Sequence, residues 1–558
     1  MNELHVHGVE GVRVIVYGTT LDSPGRREIL AMQTVTAFYP CPHCLHTAQP
    51  GVRGQVYGGF RRFLNMRSRF RNRVFRFHGH TYMFRDAERR PPPRPRTDHS
   101  VAAMVARARR NRPFCGHKAA PFFDNWVGVD WKGSTCDAMH DKKCFCVRFL
   151  ETLVGSNASD GIYLKWRQKK RDIQHREDCE VYDIFEEVHD GTTSFPWRLS
   201  KDDVNMLDQI VRSMWWPHYV DILHWEGHSF WTHSDRMWKS VHKYFILMVI
   251  LPTCLLGFVP AVHTAILMIV YALRRLEGQV LSESEAVDLG VEPGSRVIDK
   301  ALIPHFREAL ILGFVLLEGS FPVATLNPAS HHFVHYGEQT GFLGILRWFA
   351  MWSFERNNKK IKGLVRNARF TMTSLANNVQ MDIAARFRTN FVNQSESARK
   401  RACTCYLIRK SKPNGFYALS RREKFDLEML GLPAAATAFD IAHVLGVHFR
   451  AGEWGRRRCG SVITTMLAGR SRYCYVKKFL RVQGEYFARV VWLSVPEYPC
   501  APNRLVVTVR MLPREQQIRY NCMLSLKKID PCGVTVRPHP GGVRFFVMRD
   551  RGYDRVLR

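Results

Sequence analysis

The chain reads as an α+β protein: a short α/β unit at the start, a long helical middle and a β-rich C-terminal part. Three patterns predict this. GVRVIVYGTTLD, SPGRREILAM and QTVTAFYP alternate strand, helix and strand periods over the first 40 residues. Residues 200–386 are mostly helical by period. From about 440, short alternating runs rich in Val, Tyr and Phe follow one another between turn residues.

With 558 residues, 46% of them hydrophobic, the chain can build several cores and is not of the disordered class. Lys and Arg number 82 against 50 acids, a net charge of +32. That excess argues against an ordinary metabolic enzyme acting on a small molecule and favours a polyanionic partner. The 15 cysteines are irregularly spaced, so a secreted disulfide scaffold is not expected. The first residues, MNELHVHGVEGVRVIVYG, carry no apolar leader segment.

In order along the chain, residues 11–22 read as a strand ending at Asp22, and Ser23-Pro24 opens a helix. QTVTAFYP is a second strand that delivers the CPHC motif, Cys41 to Cys44. Residues 61–112 hold 16 arginines and three acids, interleaved with Phe and Tyr and the run PPPRPR. This tract is either a mobile basic loop or a surface for phosphates and stacked bases; a compact core is not expected there. Residues 128–155 read as a strand or loop, then a helix.

Between Tyr244 and Leu273 there is no Asp, Glu, Lys or Arg. A membrane span is one reading of that stretch. Pro252, Pro260 and His263 favour the other, two buried helices meeting at a proline break. A loop, NPASHHFVHYGEQTG, interrupts the helices, and Arg399 to Lys424 is a basic linker or DNA-contacting arm. The terminal runs, from GSVITTML to GVRFFVMRD, predict a small β-barrel or sandwich.

Few residues stand out for chemistry. CPHC offers two thiols to one tetrahedral metal, but alone it is equally a redox or incidental pair. HHFVH supplies a second half-site: His331 and His335, four apart, share a helical face, with His332 as the alternative ligand if the segment is not helical. Asp22 is a candidate carboxylate at a strand end, though such residues often only cap turns. Glu355 is the one acid in MWSFERNNKKIKG, followed by Arg356, Lys359, Lys360 and Lys362. It is either a metal-holding carboxylate beside a phosphate-binding face or a member of a local ion pair.

Taken in order, Asp22, CPHC, the CDAMH element (Cys136 to His140), HxxxH and WSFERNNKKIKGLVRNAR resemble the DDE transposases of the CACTA (En/Spm-like) group. The catalytic subunit of the V(D)J recombinase is a distant relative of that group. The resemblance covers about residues 10–390. It implies a partial RNase H-like α/β core at 1–60, a basic Arg/Pro-rich insertion at 61–127 and a mainly helical insertion at 128–342. A helix completing the core at 343–395, a basic linker at 396–439 and the β-rich domain at 440–558 follow. It implies one structural zinc on Cys41, Cys44, His331 and His335. It also implies Mg or Mn held by Asp22 and Glu355 for DNA strand cleavage and transfer, with Asp137 and His140 supporting that site.

Arg61, Arg62, Arg67, Arg69, Arg71 and Arg73, with Arg356, Lys359, Lys360 and Lys362, are the expected DNA contacts. The expected partners are transposon ends and target DNA, together with a second copy of the chain, in the nucleus; neither a membrane nor a small-molecule substrate is expected. The group's first catalytic Asp has no counterpart, because Glu3 and Glu10 are the only acids before Asp22. A truncated copy with impaired or no cutting activity is therefore expected. The alternatives are a catalytically dead DNA- or chromatin-binding protein and a membrane protein anchored by 244–273.

Overall fold

The computed structural model describes residues 19–20, 23–37, 39–51, 54–64, 74–77, 80–83, 92–110, 113–122, 134–154, 162–168, 183–189, 197–214, 240–278, 300–321, 325–346, 350–351, 405–410, 416–444, 447–452, 462–467, 470–496, 506–517, 520–530, 533–538 and 544–550. The chain divides into two compact units, one built mainly of residues before 352 and one mainly of residues from 352 onward.

In the first unit, β1 (Thr19–Thr20) pairs in parallel with β6 (Ser134–Thr135). Helix α1 (Ser23–Ile29) follows β1 with Pro24 in its first turn, and α3 (Ala138–Val154) follows β6. Three antiparallel pairs complete the described strands here: β2 (Gln49–Gly51) with β3 (Gly54–Val56), β4 (Val74–Phe77) with β5 (His80–Met83), and β7 (Ile162–Gln168) with β8 (Asp183–His189). Among the described residues, the parallel pairing of the expected RNase H-like core extends no further than β1 and β6.

The strand expected at QTVTAFYP is not formed. Met32 makes a lone bridge to His117, and Ala37 N–H then donates to Thr34 O at 3.0 Å, folding the chain into a turn. The basic tract also differs from the expected loose loop. Its end forms α2 (Asp98–Arg110), whose Val101, Met104, Val105 and Ala108 are buried on one face. The 3–4 spacing of these apolar residues leaves the arginines on the other positions of the helix.

The apolar stretch 244–273 folds as the buried helices the prolines suggest. Helix α4 (Lys201–Ser213) comes earlier in the chain, and α5 (Ser240–Phe245) runs through a π turn (Ile246–Ile250) into α6 (Leu251–Cys254). Helix α7 (Pro260–Leu276) restarts with Pro260 in its first turn. Pro252 has no N–H to offer the carbonyl four residues back, that of Met248. Arg274 Nη2 donates to that oxygen instead, at 2.7 Å. His263 is accounted for in the same way, with Nε2 2.7 Å from Pro252 O. Among the described residues, no helix is long and apolar enough to cross a membrane.

Helix α8 (Ile303–Ser320) packs on α7 at Gly313, where an added Cβ would lie 2.6 Å from Ile269 Cγ1 and 2.9 Å from its N. Helices α9 (Pro328–His332) and α10 (Tyr336–Leu343) occupy the segment expected to be a loop. Asn327 is the reason: its side chain accepts from Ser330 N–H at 3.0 Å, and Pro328 follows at the first helical position.

Among the described residues of the second unit the β structure begins at Cys405, inside the segment expected to be a linker. Strands β9 (Cys405–Lys410) and β10 (Phe416–Tyr417) pair with β11 (Ala436–Val444). Between them α11 (Arg421–Glu428) starts on a capping box of Ser420 and Glu423. Strand β11 also pairs with β12 (Val447–Arg450) and with the long β14 (Arg470–Val482). Strand β13 (Val462–Leu467) pairs with β14 and with β18 (Ile529–Asp530). Strand β15 (Glu485–Trp492) joins β14 to β17 (Met523–Ser525).

A second sheet, β16 (Val506–Arg510), β20 (Arg544–Asp550) and β19 (Gly533–Pro538), is antiparallel throughout. Val507, Val509 and Val536 of that sheet pack with Val462, Tyr473 and Tyr475 of the first. The described strands form two open sheets packed together, and no closed barrel.

Candidate metal centre

The CPHC turn is held by the proline run of the basic tract. Leu45 N–H donates to Arg94 O and Arg96 N–H to His43 O, both at 2.9 Å. The Arg96 side chain, 2% exposed, reaches through the turn. Its Nε donates to Cys41 O at 2.9 Å and its Nη2 to Cys115 O at 2.7 Å. A proline biases the residue before it toward extended backbone, which is the conformation this pairing needs. His43 N–H lies 3.3 Å from Cys41 Sγ, a contact that favours a thiolate there.

The histidine half comes from α9 and the 3₁₀ turn after it, Phe333–His335. The continuous helical course puts His331 and His335 one turn apart on one face. Each meets one thiol. Cys41 Sγ is 3.4 Å from His335 Nε2, and Cys44 Sγ is 3.4 Å from His331 Nε2. All four ligand atoms lie within 4.8 Å of one another, and all four residues are buried. Tetrahedral zinc, with Zn–S near 2.3 Å and Zn–N near 2.05 Å, sets S···N separations of about 3.6 Å. The cluster can hold a metal such as zinc.

The remaining ring nitrogens also have partners. His331 Nδ1 lies 3.2 Å from His46 Nδ1, and His335 Nδ1 lies 3.4 Å from Glu338 Oε2. Tyr57 stacks on His331 at 4.2 Å between centroids. Such contacts orient a metal-binding imidazole and set its tautomer.

Without a metal, two of the ligands form an ion pair. Burial works against a charged Cys41, but the hydrogen bond from Cys44, the charge of His335 and the contact with His331 hold its thiol well below the usual range. Burial likewise opposes a charged His335, yet Cys41 raises it to about 10. Burial pushes Cys44 up and His331 down to about 4. A divalent ion would displace the protons of Cys44 and His335, so binding strengthens as pH rises.

The other expected site residues are placed as follows. Asp137 is buried, accepts from Met139 N–H and from Met351 N–H at 3.0 Å each, and pairs with His140 Nδ1. It therefore caps α3 and holds the Met351 backbone. Arg61 and Arg62 lie half-buried in the 3₁₀ turn Phe60–Phe63. Asp22, Glu355, Arg67, Arg69, Arg71, Arg73, Arg356, Lys359, Lys360 and Lys362 lie outside the described residues.

His46, Tyr57, Arg96, Asp141 and Glu338 also belong to this neighbourhood and were not singled out from the sequence. Glu338, three residues after His335, carried the only sequence signal, an i,i+3 acid on the same helix face. No family model, curated protein or solved structure matches the chain.

Proposed function

We propose that the chain is a transposase-derived DNA-binding protein of the CACTA type, held together by one structural zinc on Cys41, Cys44, His331 and His335. The observation that supports this is the meeting of the CxxC and HxxxH halves, 287 and 294 residues apart along the chain, in the order the resemblance requires. A loop pairing at that separation carries a high closure entropy, so a metal that clamps it contributes directly to the fold. The charge of +32 supports a nucleic-acid partner. In this reading Asp22 and Glu355 would hold Mg or Mn, which supplies Lewis-acid stabilisation of the attacking and leaving oxygens.

The test is the full chain with duplex oligonucleotides and Mg²⁺ or Mn²⁺. Duplex binding that weakens steeply with salt is the expected result. Metal-dependent nicking that disappears in Glu355→Ala would assign strand cleavage to this chain. Binding without nicking would leave the DNA-binding role alone. A chain that neither binds nor nicks DNA overturns the reading.

A further inference from the structure

Next to the Cys₂His₂ cluster lies a second convergence of metal-type donors that the first does not use. Cys136 Sγ, an Asp141 oxygen and a His332 ring nitrogen lie within 4.8 Å of one another, and all three residues are buried. A thiol, a carboxylate and an imidazole around one point are a common beginning of a divalent-metal site. The hydrogen bonds, however, describe a different occupant.

His332 Nε2 lies 3.2 Å from Arg26 Nη2, and its Nδ1 lies 3.0 Å from Asp141 Oδ1. The guanidinium faces one ring nitrogen of His332, and Asp141 faces the other. The other Asp141 oxygen accepts from Tyr336 O–H at 2.9 Å. Cys136 Sγ completes the group, 3.5 Å from His43 Nε2. The ring nitrogen a metal would take therefore already faces a cation of the chain.

Arg26 is 1% exposed, and its Nε and Nη1 have no hydrogen-bond partner. Hydrogen bonding by itself does not explain why a guanidinium is buried here. Charge does: a buried carboxylate beside a buried thiol needs a cation within the same low-dielectric space.

We propose that Arg26 fills the cation position of a latent second metal site formed by Cys136, Asp141 and His332, and that removing the guanidinium opens this site to a thiophilic divalent ion such as Zn²⁺ or Co²⁺. The native chain then takes one structural metal where its donor groups could take two. Helix α1 supplies the internal cation, and its position follows from the helix start at Ser23-Pro24. The proposal does not require the Cys₂His₂ cluster to be loaded, because it concerns the difference in metal content between variants.

The experiment uses the full chain, equilibrated with Zn²⁺ and desalted. Zinc per chain is measured by mass spectrometry, and Co²⁺ substitution is followed by thiolate charge-transfer absorption. Wild type and Cys136→Ser are expected to hold the same amount. Arg26→Ala should gain one equivalent, and the Arg26→Ala/Cys136→Ser double variant should lose it again. Arg26→Lys, which keeps a cation, should stay at the wild-type value. If the Cys₂His₂ reading fails, every arm falls by one equivalent while the gain in Arg26→Ala remains.

Two results would overturn the proposal. One is a wild-type chain that holds an extra zinc lost in Cys136→Ser, which makes the cluster a resident metal site. The other is an Arg26→Ala chain with native near-UV circular dichroism and no added metal. Should Arg26→Ala fail to fold, the comparison of wild type, Cys136→Ser and Arg26→Lys decides: equal contents support the internal cation, and a loss in Cys136→Ser refutes it.

Discussion

At the scale of single residues, the metal centre depends on groups beyond its four ligands. Cys41→Ala is expected to abolish zinc retention, since it removes a ligand and leaves His335 without its partner at 3.4 Å. Glu338→Gln keeps the shape but weakens the hold on His335 Nδ1, and competition with a chelator should show metal affinity lower by roughly 10–100-fold. Affinity unchanged in Glu338→Gln would mean that the 3.4 Å contact does not orient the ring.

Glu318 gives a pH dependence at the same scale. Its carboxylate accepts from Gly59 N–H at 2.6 Å and Phe60 N–H at 3.1 Å, but burial still raises it from 4.5 to about 7. Between those values the folded chain keeps a proton that the unfolded chain has released, so stability falls as pH rises through the window. Above it the penalty is complete, on the order of 3–4 kcal/mol at about 1.36 kcal/mol per pKa unit. Glu318→Gln should remove the slope: urea midpoints of variant and wild type that nearly coincide at pH 5 should separate by pH 8 in the variant's favour. Parallel midpoints at both values would show that Glu318 stays ionised throughout.

At the scale of elements, the helical part is organised around contacts that tolerate little change. Helix α8 approaches α7 closely only because residue 313 is glycine; a Cβ there would press on Ile269 and on Ala265 O at 3.1 Å. Backbone atoms cannot move aside like a flexible side chain, so Gly313→Ala is expected to cost about 1–3 kcal/mol in denaturant unfolding despite its better helix propensity. A neutral or stabilising effect would mean the two helices separate readily.

Helix α3 is tied to α5 and α7 by a buried ion pair. Lys142 Nζ pairs with Glu277, Tyr244 O–H donates to the same carboxylate, and the ammonium lies 4.8 Å from the Tyr244 ring centroid. Lys142→Met leaves Glu277 buried without its cation and should destabilise by about 3–5 kcal/mol. The double variant Lys142→Met/Glu277→Leu should recover much of that loss, which separates the ion pair's net worth from the penalty of breaking it.

At the scale of the whole molecule, the charge of +32 predicts DNA affinity that falls linearly on a log–log salt plot. The basic tract cannot be tested by deleting it, because Arg96 and α2 lie within it and Arg96 pins the CPHC turn. Neutralising Arg67, Arg69, Arg71 and Arg73 to Gln is the cleaner experiment. Every arginine that pairs with a phosphate should, once neutralised, lower the slope by roughly 0.9, while zinc content stays unchanged. A slope equal to that of the wild type would remove these arginines from the interface.

Local patterns in the sequence determined much of what the structure contains. Ser23-Pro24 marked the start of α1, the spacing of Pro252 and Pro260 marked broken buried helices rather than a span, and alternation located most of the C-terminal strands. The two halves of the metal centre were legible as candidate donor pairs, because CxxC and HxxxH each place two donors side by side, while their pairing was what the resemblance implied. These features are short-range, and a 3.6- or 2-residue period reports them directly.

Other features depend on partners distant in sequence. The turn at Thr34 replaced a strand, closed by the Ala37 N–H to Thr34 O bond, and the apparent loop at 327–341 became helix through the Asn327 cap. Strands β9 and β10 were hidden in a basic segment until β11 gave them hydrogen-bond partners. Above all, only tertiary packing brings Arg26, Asp141 and His332 together from three separate helices. A lone buried arginine, an acid in a helix and one histidine of a pair carry no signal individually. Their meaning arises from low-dielectric proximity, where each charge must find its counterpart, and proximity across about 300 residues is not written in any local pattern.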